Sequence, residues 1–125
     1  IYLADPPEVT VPKIKTMVTD PARKRRNDPG NPDICPVFDL HRIFTPEAAR
    51  AELAQGCRSA GIGCLDCKGV LLRHLEPPLA AIRERRTRFA EHPARIREVL
   101  QEGSGRARET ARTTLAAAKA AVGIA

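Results

Sequence analysis

The chain is poor in aromatic residues, which make up 3% of its 125 positions, and it has no tryptophan. β-Sandwiches and barrels rely heavily on aromatic and β-branched side chains, so this composition argues against them. Ala and Leu supply most of the apolar content, which is typical of closely packed helices. No stretch shows the alternation of apolar and polar residues that a half-buried strand would have. The sequence therefore predicts an all-α fold, a helical bundle.

Long apolar runs are also missing, since none approaches the ~20 residues that a membrane-spanning helix needs. Residues 1–12 lack the charged-then-apolar pattern of a secretion signal. We therefore expect no membrane partner and a cytoplasmic location, where structural disulfides are rare. The chain begins with Ile1 rather than Met, and we expect it to be a fragment of a longer protein. Its length suits one domain, placed over residues 1–125.

Three helices are predicted in the first half of the chain. The first follows Thr10 as its cap and ends near Asp20, because the next residue is a proline. The second opens at Pro36. The third has its cap and first turn at Thr45-Pro46-Glu47 and stops at Gly56.

Longer helices are predicted in the second half of the chain. Asp66 is the expected cap of one that runs on at helical spacing, with a kink or break at Pro77-Pro78. One or two more helices are expected over residues 96–122, weakened in the middle by Gly103-Ser104-Gly105.

The four cysteines are spaced C-x21-C-x6-C-x2-C, at Cys35, Cys57, Cys64 and Cys67. A two-residue gap lets one turn of chain present two thiolates to one ion, as Cys64 and Cys67 do here. Cys67 follows the expected cap Asp66, so the helix dipole should lower the pKa of its thiol. The spacing therefore predicts a metal loop held by all four thiols.

Other interpretations of the cysteines stay open on spacing alone. Four buried thiols acting as small apolar residues, or two disulfides, are the alternatives to a metal site. Zinc and an iron–sulfur cluster both accept four thiolates. His41 or His74 could replace a thiolate in a zinc site, although a histidine in such a place is more often an ordinary residue of the surface or core.

Basic residues outnumber acidic ones, 21 to 15, giving a net charge of +6 and a pI near 9.6. This excess favours an acidic partner such as nucleic acid. Four basic residues stand together in one polar loop, as Arg23, Lys24, Arg25 and Arg26. They either contact phosphates or form a solvated surface. Arg58 and Lys68 flank the cysteines and are stronger candidates for such contacts, because the metal site would hold their loop in place.

Several segments together resemble bacterial tryptophanyl-tRNA synthetases over most of residues 3–90. The segments are Lys13-Ile14-Lys15 to Thr19-Asp20, Asp28-Pro29-Gly30-Asn31-Pro32-Asp33 with Cys35, Gly56-Cys57-Arg58, Ile62-Gly63-Cys64, Cys67-Lys68, and Pro78-Leu79 through Ile82-Arg83-Glu84-Arg85-Arg86. The resemblance is looser beyond residue 90. It implies the C-terminal helical anticodon-binding domain of such an enzyme.

The resemblance also implies a parent enzyme that activates tryptophan with ATP and Mg²⁺ and transfers it to tRNA(Trp). The family's ATP-binding motifs are absent from this chain, so we expect no catalytic residue here and no activity from the chain alone. A homodimer would form through the missing catalytic domain. The tRNA-binding candidates are Arg58, Lys68 and the four residues of the basic loop.

A subset of that family carries a 4Fe–4S cluster on four similarly spaced cysteines, which favours iron–sulfur over zinc here. The first gap in the present chain is about one residue shorter, which a loop deletion would explain. The alternative function is a free-standing zinc-stabilised nucleic-acid-binding module. A small electron carrier is less consistent with the basic charge and the single CxxC pair.

Overall fold

The computed structural model describes residues 1–124, which form five helices and, within that range, no strand. The helices are α1 (Pro7–Thr16), α2 (Pro36–Phe44), α3 (Glu47–Arg58), α4 (Cys64–Ala90) and α5 (Pro93–Ala121). The all-α prediction is thus confirmed. The chain divides into two compact units. The first is Ile1–Glu84, and the second begins at Arg85.

Helix α1 begins earlier than Thr10, at Pro7, and ends at Thr16 rather than near Asp20. Proline suits the first position of a helix because the N–H group that it lacks would have no partner there. Thr10 lies inside the helix, fully buried, and its hydroxyl donates to the carbonyl oxygen of Pro6 at 3.2 Å.

Helix α2 begins at the predicted Pro36 and ends at Phe44, while α3 continues two residues past Gly56 to Arg58. The core of the first unit lies between these helices and the first part of α4. Its buried apolar residues are Ile14, Cys35, Val37, Phe38, Leu53, Leu71, Leu75 and Leu79. One of the four cysteines is therefore part of the core itself.

Helix α4 differs from the prediction at two points. It begins at Cys64, so Asp66 lies in its first turn rather than at its cap, and it runs unbroken through Pro77 and Pro78. Leu75 and Leu79 are 2% exposed on either side of the prolines. Their burial holds the helix together where the two prolines remove backbone donors.

In the second unit, α5 is one helix that includes Gly103, Ser104 and Gly105, and none of its residues is buried. Its larger apolar side chains are exposed, namely Ile96, Val99, Leu100 and Leu115. Among the described residues, no helix has the length and apolar character required to cross a bilayer.

Candidate metal centre and basic loop

The four cysteines come from three neighbouring parts of the first unit and line one small cavity. Cys35 directly precedes α2, and Cys57 lies at the end of α3. Cys64 and Cys67 occupy the first turn of α4. All four are free thiols. The structure therefore brings together the side chains that the spacing singled out, while their role as ligands stays a prediction.

Close backbone packing allows this approach. The N–H of Gly30 donates to the carbonyl oxygen of Cys57 at 2.9 Å, and a Cβ added at Gly30 would lie 2.7 Å from the Cys57 sulfur. The turn between α3 and α4 places Ala60 in the left-handed region, with φ 58°. A Cβ added at Gly63 would lie 2.8 Å from a carboxylate oxygen of Asp66. The glycines at these positions thus provide space rather than an unusual φ.

The donor set suits a thiolate-bound metal group, because four thiols favour soft ions such as zinc, copper(I) or the iron of a cluster. Within residues 1–124, however, no three His, Cys, Asp or Glu side chains already surround a single ion position. A tetrahedral zinc site holds each sulfur about 2.3 Å from the metal. The thiols as placed therefore do not form a complete site for one ion.

The electrostatics differ from the sequence expectation. Burial, followed by smaller effects of the neighbouring Cys35, Cys57 and Cys64, raises the pKa of the Cys67 thiol to about 12. Burial likewise raises the pKa of Cys57. The predicted lowering by the helix start is wrong for Cys67, since desolvation of a thiolate outweighs the dipole. A bound cation would supply the missing positive charge, and its binding would release protons.

His41 is fully buried and contacts one of the four cysteines, Cys67. Its Nε2 lies 3.3 Å from the sulfur of Cys67, and its Nδ1 lies 2.8 Å from the hydroxyl oxygen of Thr45. Burial lowers the pKa of His41, which favours the neutral ring. His74 lines a different pocket, with residues of α3 and α4, and not the cysteine cavity.

Arg23 was predicted as a nucleic-acid contact, but it is only 9% exposed and belongs to the fold. One terminal nitrogen of its guanidinium donates to the carbonyl oxygens of Arg26 at 2.8 Å and Ile62 at 2.7 Å. The side chain also lines the cysteine cavity. Because both its position and its charge are committed there, Arg23 is not available to an external phosphate.

Lys68 is a second correction, since it is 5% exposed. Its ammonium donates to the carbonyl oxygens of Lys15 at 2.8 Å and Met17 at 2.6 Å. These carbonyls lie at the end of α1, where a helix leaves its acceptors without intrahelical donors. Lys68 thus caps α1 instead of facing a partner.

Lys24, Arg25 and Arg26 are exposed and line a surface pocket beside the start of α4. The loop that carries them is held by Asp28, whose carboxylate accepts from the backbone N–H groups of Lys24 at 3.2 Å and Arg25 at 2.7 Å. These three side chains form what we call the basic loop surface. They are the part of the predicted run that an anionic partner can reach.

Arg58 is exposed as well, but it pairs with Asp33 at 3.2 Å. Asp33 also accepts from Arg42 at 3.4 Å. A partner that binds Arg58 would compete with this exposed ion pair, which contributes little to stability.

Asp20 is a residue that sequence reasoning missed. It is 4% exposed, and its carboxylate accepts from the backbone N–H groups of Ala22 at 2.9 Å and Asn31 at 2.7 Å. It therefore joins the two ends of the loop that leads to the cysteines. Its position before Pro21 indicated a turn, which is a typical place for such bonds.

No protein-family model matches the chain. It is 42% identical over 116 residues to the tryptophan–tRNA ligase of Aquifex aeolicus, covering 92% of the chain and 29% of the relative. The ligase of Thermotoga maritima is 43% identical over 103 residues, covering 82% of the chain and 31% of the relative. The ligase of Treponema pallidum is 37% identical over 125 residues, covering 99% of the chain and 37% of the relative. The chain thus spans about a third of the length of these relatives.

Proposed function

We propose that this chain is the C-terminal helical part of a tryptophan–tRNA ligase and that it binds the anticodon region of tRNA(Trp). The observation that carries the proposal is the 42% identity over 92% of the chain to an enzyme of that name. Because the relative is about three times longer, activation of tryptophan with ATP and Mg²⁺ is assigned to the parent enzyme, outside residues 1–125. The parent would form a homodimer through that other part.

The coding sequence upstream of Ile1 tests the assignment to a parent enzyme. It should encode a Rossmann-type region whose ATP-binding loop ends next to Ile1. An open reading frame that starts immediately before Ile1 would contradict the proposal and favour a free-standing nucleic-acid-binding module.

The basic loop surface supports the RNA-binding part of the proposal. Its three side chains, those of Lys24, Arg25 and Arg26, are exposed. The Asp28 carboxylate stabilises the loop by accepting hydrogen bonds from two of its backbone N–H groups. Contacts to phosphates provide affinity without base identity, and their strength falls with salt. Arg58 adds a fourth exposed basic side chain on the same unit.

Binding of tRNA to the parent enzyme measures this contribution. The triple change Lys24→Gln, Arg25→Gln and Arg26→Gln should weaken binding and reduce the salt slope by about 1 for each phosphate contact that is lost. Arg108→Gln, an exposed arginine of α5, is the matched control and should change neither. Equal affinity and salt slope in the triple variant and the wild type would rule out the basic loop surface as the RNA contact.

The second part of the proposal is a 4Fe–4S cluster held by Cys35, Cys57, Cys64 and Cys67, with zinc as the alternative metal. The four thiols around one cavity support a thiolate-bound group, and the resemblance to the iron–sulfur subset favours iron. When bound, such a group supplies a rigid cross-link between α2, α3 and α4. The chain's part is to present four thiolates and to shield them from water.

Purification without oxygen distinguishes the metals. The protein should be brown, with broad visible absorbance and about four irons per chain. A colourless protein with one zinc per chain would contradict the assignment of iron while leaving the thiolate site in place.

Cys64→Ser tests whether the metal supports RNA binding. We expect loss of metal, a lower free energy of unfolding and weaker tRNA binding by the parent enzyme, because the turn before α4 would lose its cross-link. Ser59→Ala, at an exposed position near the end of α3, is the control. Its metal content, free energy of unfolding and tRNA affinity should equal those of the wild type. Unchanged tRNA affinity in a metal-free Cys64→Ser protein would show that the site has no role in binding.

A further inference from the structure

Two nitrogen donors beside the cysteines are not used by the proposed function. Arg23 lines the cysteine cavity, and His41 contacts Cys67, which lines the same cavity. One is Nε2 of His41, which lies 3.3 Å from the Cys67 sulfur. The other is Nε of Arg23, a buried atom with no hydrogen-bond acceptor among the residues that the structure describes. Both side chains lie more than nine-tenths buried. Neither can therefore satisfy its hydrogen bonding by turning into bulk water.

The position of His41 is set by its neighbours. Thr45, one helical turn later, places its hydroxyl 2.8 Å from Nδ1 of the ring. A hydroxyl that donates to Nδ1 leaves the proton of a neutral imidazole on Nε2, where it faces Cys67. A histidine held in this way presents one N–H group to one sulfur. This is the arrangement in which outer groups orient and stabilise a metal ligand.

Arg23 is held equally firmly. A single terminal nitrogen donates to two carbonyl oxygens, those of Arg26 and Ile62, and so anchors the guanidinium in the cavity wall. Its charge lowers the pKa of both Cys57 and Cys67, against the larger effect of burial. A buried donor without an acceptor is costly, and each such case in a folded protein requires an explanation. An acceptor that arrived with a bound group would satisfy this donor.

We propose that Arg23 and His41 are positioning residues of the four-cysteine centre, which they stabilise by donating hydrogen bonds to its sulfur atoms. His41 donates from Nε2 to the Cys67 thiolate, and Arg23 donates from Nε to a sulfur of the bound group while its positive charge offsets the thiolates. This inference rests on the thiolate site of the proposed function. It separates Arg23 by role from Lys24, Arg25 and Arg26, although the four are consecutive.

The charge of the site explains why such donors are needed. Four thiolates carry more negative charge than one divalent ion or one oxidised cluster neutralises, and the cavity is largely shielded from water. Hydrogen bonds to sulfur and a nearby cation therefore decide how readily the group is lost. They also set the reduction potential of an iron–sulfur cluster.

The test compares four variants of the full chain: Arg23→Met, His41→Phe, Thr45→Val and Arg25→Met. The first two remove a donor at similar side-chain volume. Thr45→Val leaves the ring and removes the hydroxyl that orients it. Arg25→Met removes an exposed arginine two residues from Arg23 and is the matched control.

Each protein is loaded without oxygen, once with iron and sulfide and once with Co²⁺ as a spectroscopic substitute for Zn²⁺. We measure the rate of metal release to a chelator, the reduction potential of the iron form, and the sulfur-to-cobalt charge-transfer band. Metal release should be about 10- to 100-fold faster in Arg23→Met and His41→Phe than in the wild type. The increase in the release rate should be smaller in Thr45→Val. The potential of the first two variants should fall, since donors to sulfur stabilise the reduced cluster.

The outcomes separate this inference from the function on which it rests. Wild-type protein that takes up neither metal on its cysteines would overturn the site itself. Wild-type protein that holds metal, with release rates, potential and charge-transfer band unchanged in Arg23→Met and His41→Phe, would overturn the role of these two residues alone. If His41→Phe fails to fold, an unchanged Thr45→Val protein has the same meaning for His41. If Arg23→Met fails to fold, Arg23→Gln, which removes the positive charge and the Nε donor, replaces it.

Discussion

At the scale of single residues, Gly30 shows how little space surrounds the cysteines. A Cβ at this position would lie 2.7 Å from the Cys57 sulfur and 3.1 Å from Cδ of Arg23. We expect Gly30→Ala to lower the free energy of unfolding by about 1–3 kcal/mol, as overpacking of a filled site does. It should also reduce metal uptake, because the Cys57 sulfur must move. Urea unfolding and metal content measure the two effects.

Gly103 is the control for Gly30, since a Cβ there would meet nothing within 4 Å. Gly103→Ala should raise the free energy of unfolding of α5 by about 0.5–1 kcal/mol, the usual helical preference for Ala over Gly. Its effect on metal uptake should be nil. Equal responses at the two glycines would contradict the crowding that the structure shows at Gly30.

Lys68 provides the second prediction at this scale. Lys68→Met keeps the apolar stem but leaves the carbonyl oxygens of Lys15 and Met17 without their shared donor. We expect a loss of about 1–3 kcal/mol in the free energy of unfolding. Lys15→Met, at an exposed side chain of α1, should stay within about 0.5 kcal/mol of the wild type. Reduced tRNA affinity with an unchanged unfolding midpoint would instead restore Lys68 as an RNA contact.

At the scale of helices, α4 shows tertiary packing prevailing over local preference. Pro77 and Pro78 lie in its interior and are exposed, while Leu75 and Leu79 are buried. An interior proline costs about 3 kcal/mol relative to Ala. The buried leucines of the same helix offset this cost by packing into the core of the first unit.

Replacement of Pro78 measures the cost of the interrupted backbone. We expect Pro78→Ala to raise the free energy of unfolding by about 1–3 kcal/mol, because an N–H donor and normal helical geometry return. Pro36→Ala is the matched control, since Pro36 occupies the first position of α2, where proline is well tolerated. The prediction is wrong if Pro78→Ala is neutral or destabilising in chemical unfolding.

At the scale of the whole molecule, the buried residues belong to the first unit. Among residues 1–124, the fully buried apolar side chains lie between Ile14 and Leu79, and α5 has none. All four cysteines also belong to that unit. The first unit therefore contains both a core and the candidate metal centre.

A polypeptide of residues 1–84 should consequently fold by itself. We expect helical circular dichroism, a cooperative unfolding transition and metal uptake comparable with those of the full chain. Its length exceeds the ~40 residues below which a single core usually needs additional support. Loss of the cooperative transition would show that residues beyond Glu84 contribute to the core.

Local chemistry explains how much could be predicted from the sequence. Proline at a first helical position and periodic apolar residues are signals within one turn or two. They predicted the start of α2 correctly and the bounds of α3 to within two residues. The spacing of the cysteines likewise selected the four thiols that line one cavity. Low aromatic content and the absence of alternating segments predicted the all-α class.

Only the tertiary structure decided the roles of Arg23, Lys68 and His41. Arg23 reaches a carbonyl oxygen 39 positions away, Lys68 one 53 positions away, and His41 a sulfur 26 positions away. In the sequence, Arg23 is indistinguishable from the exposed arginines beside it, because burial depends on what distant segments bring to the same place. Composition and spacing thus determined the fold class and the set of cysteines. Long-range packing determined which basic residues are exposed and which ones are buried beside the cysteines.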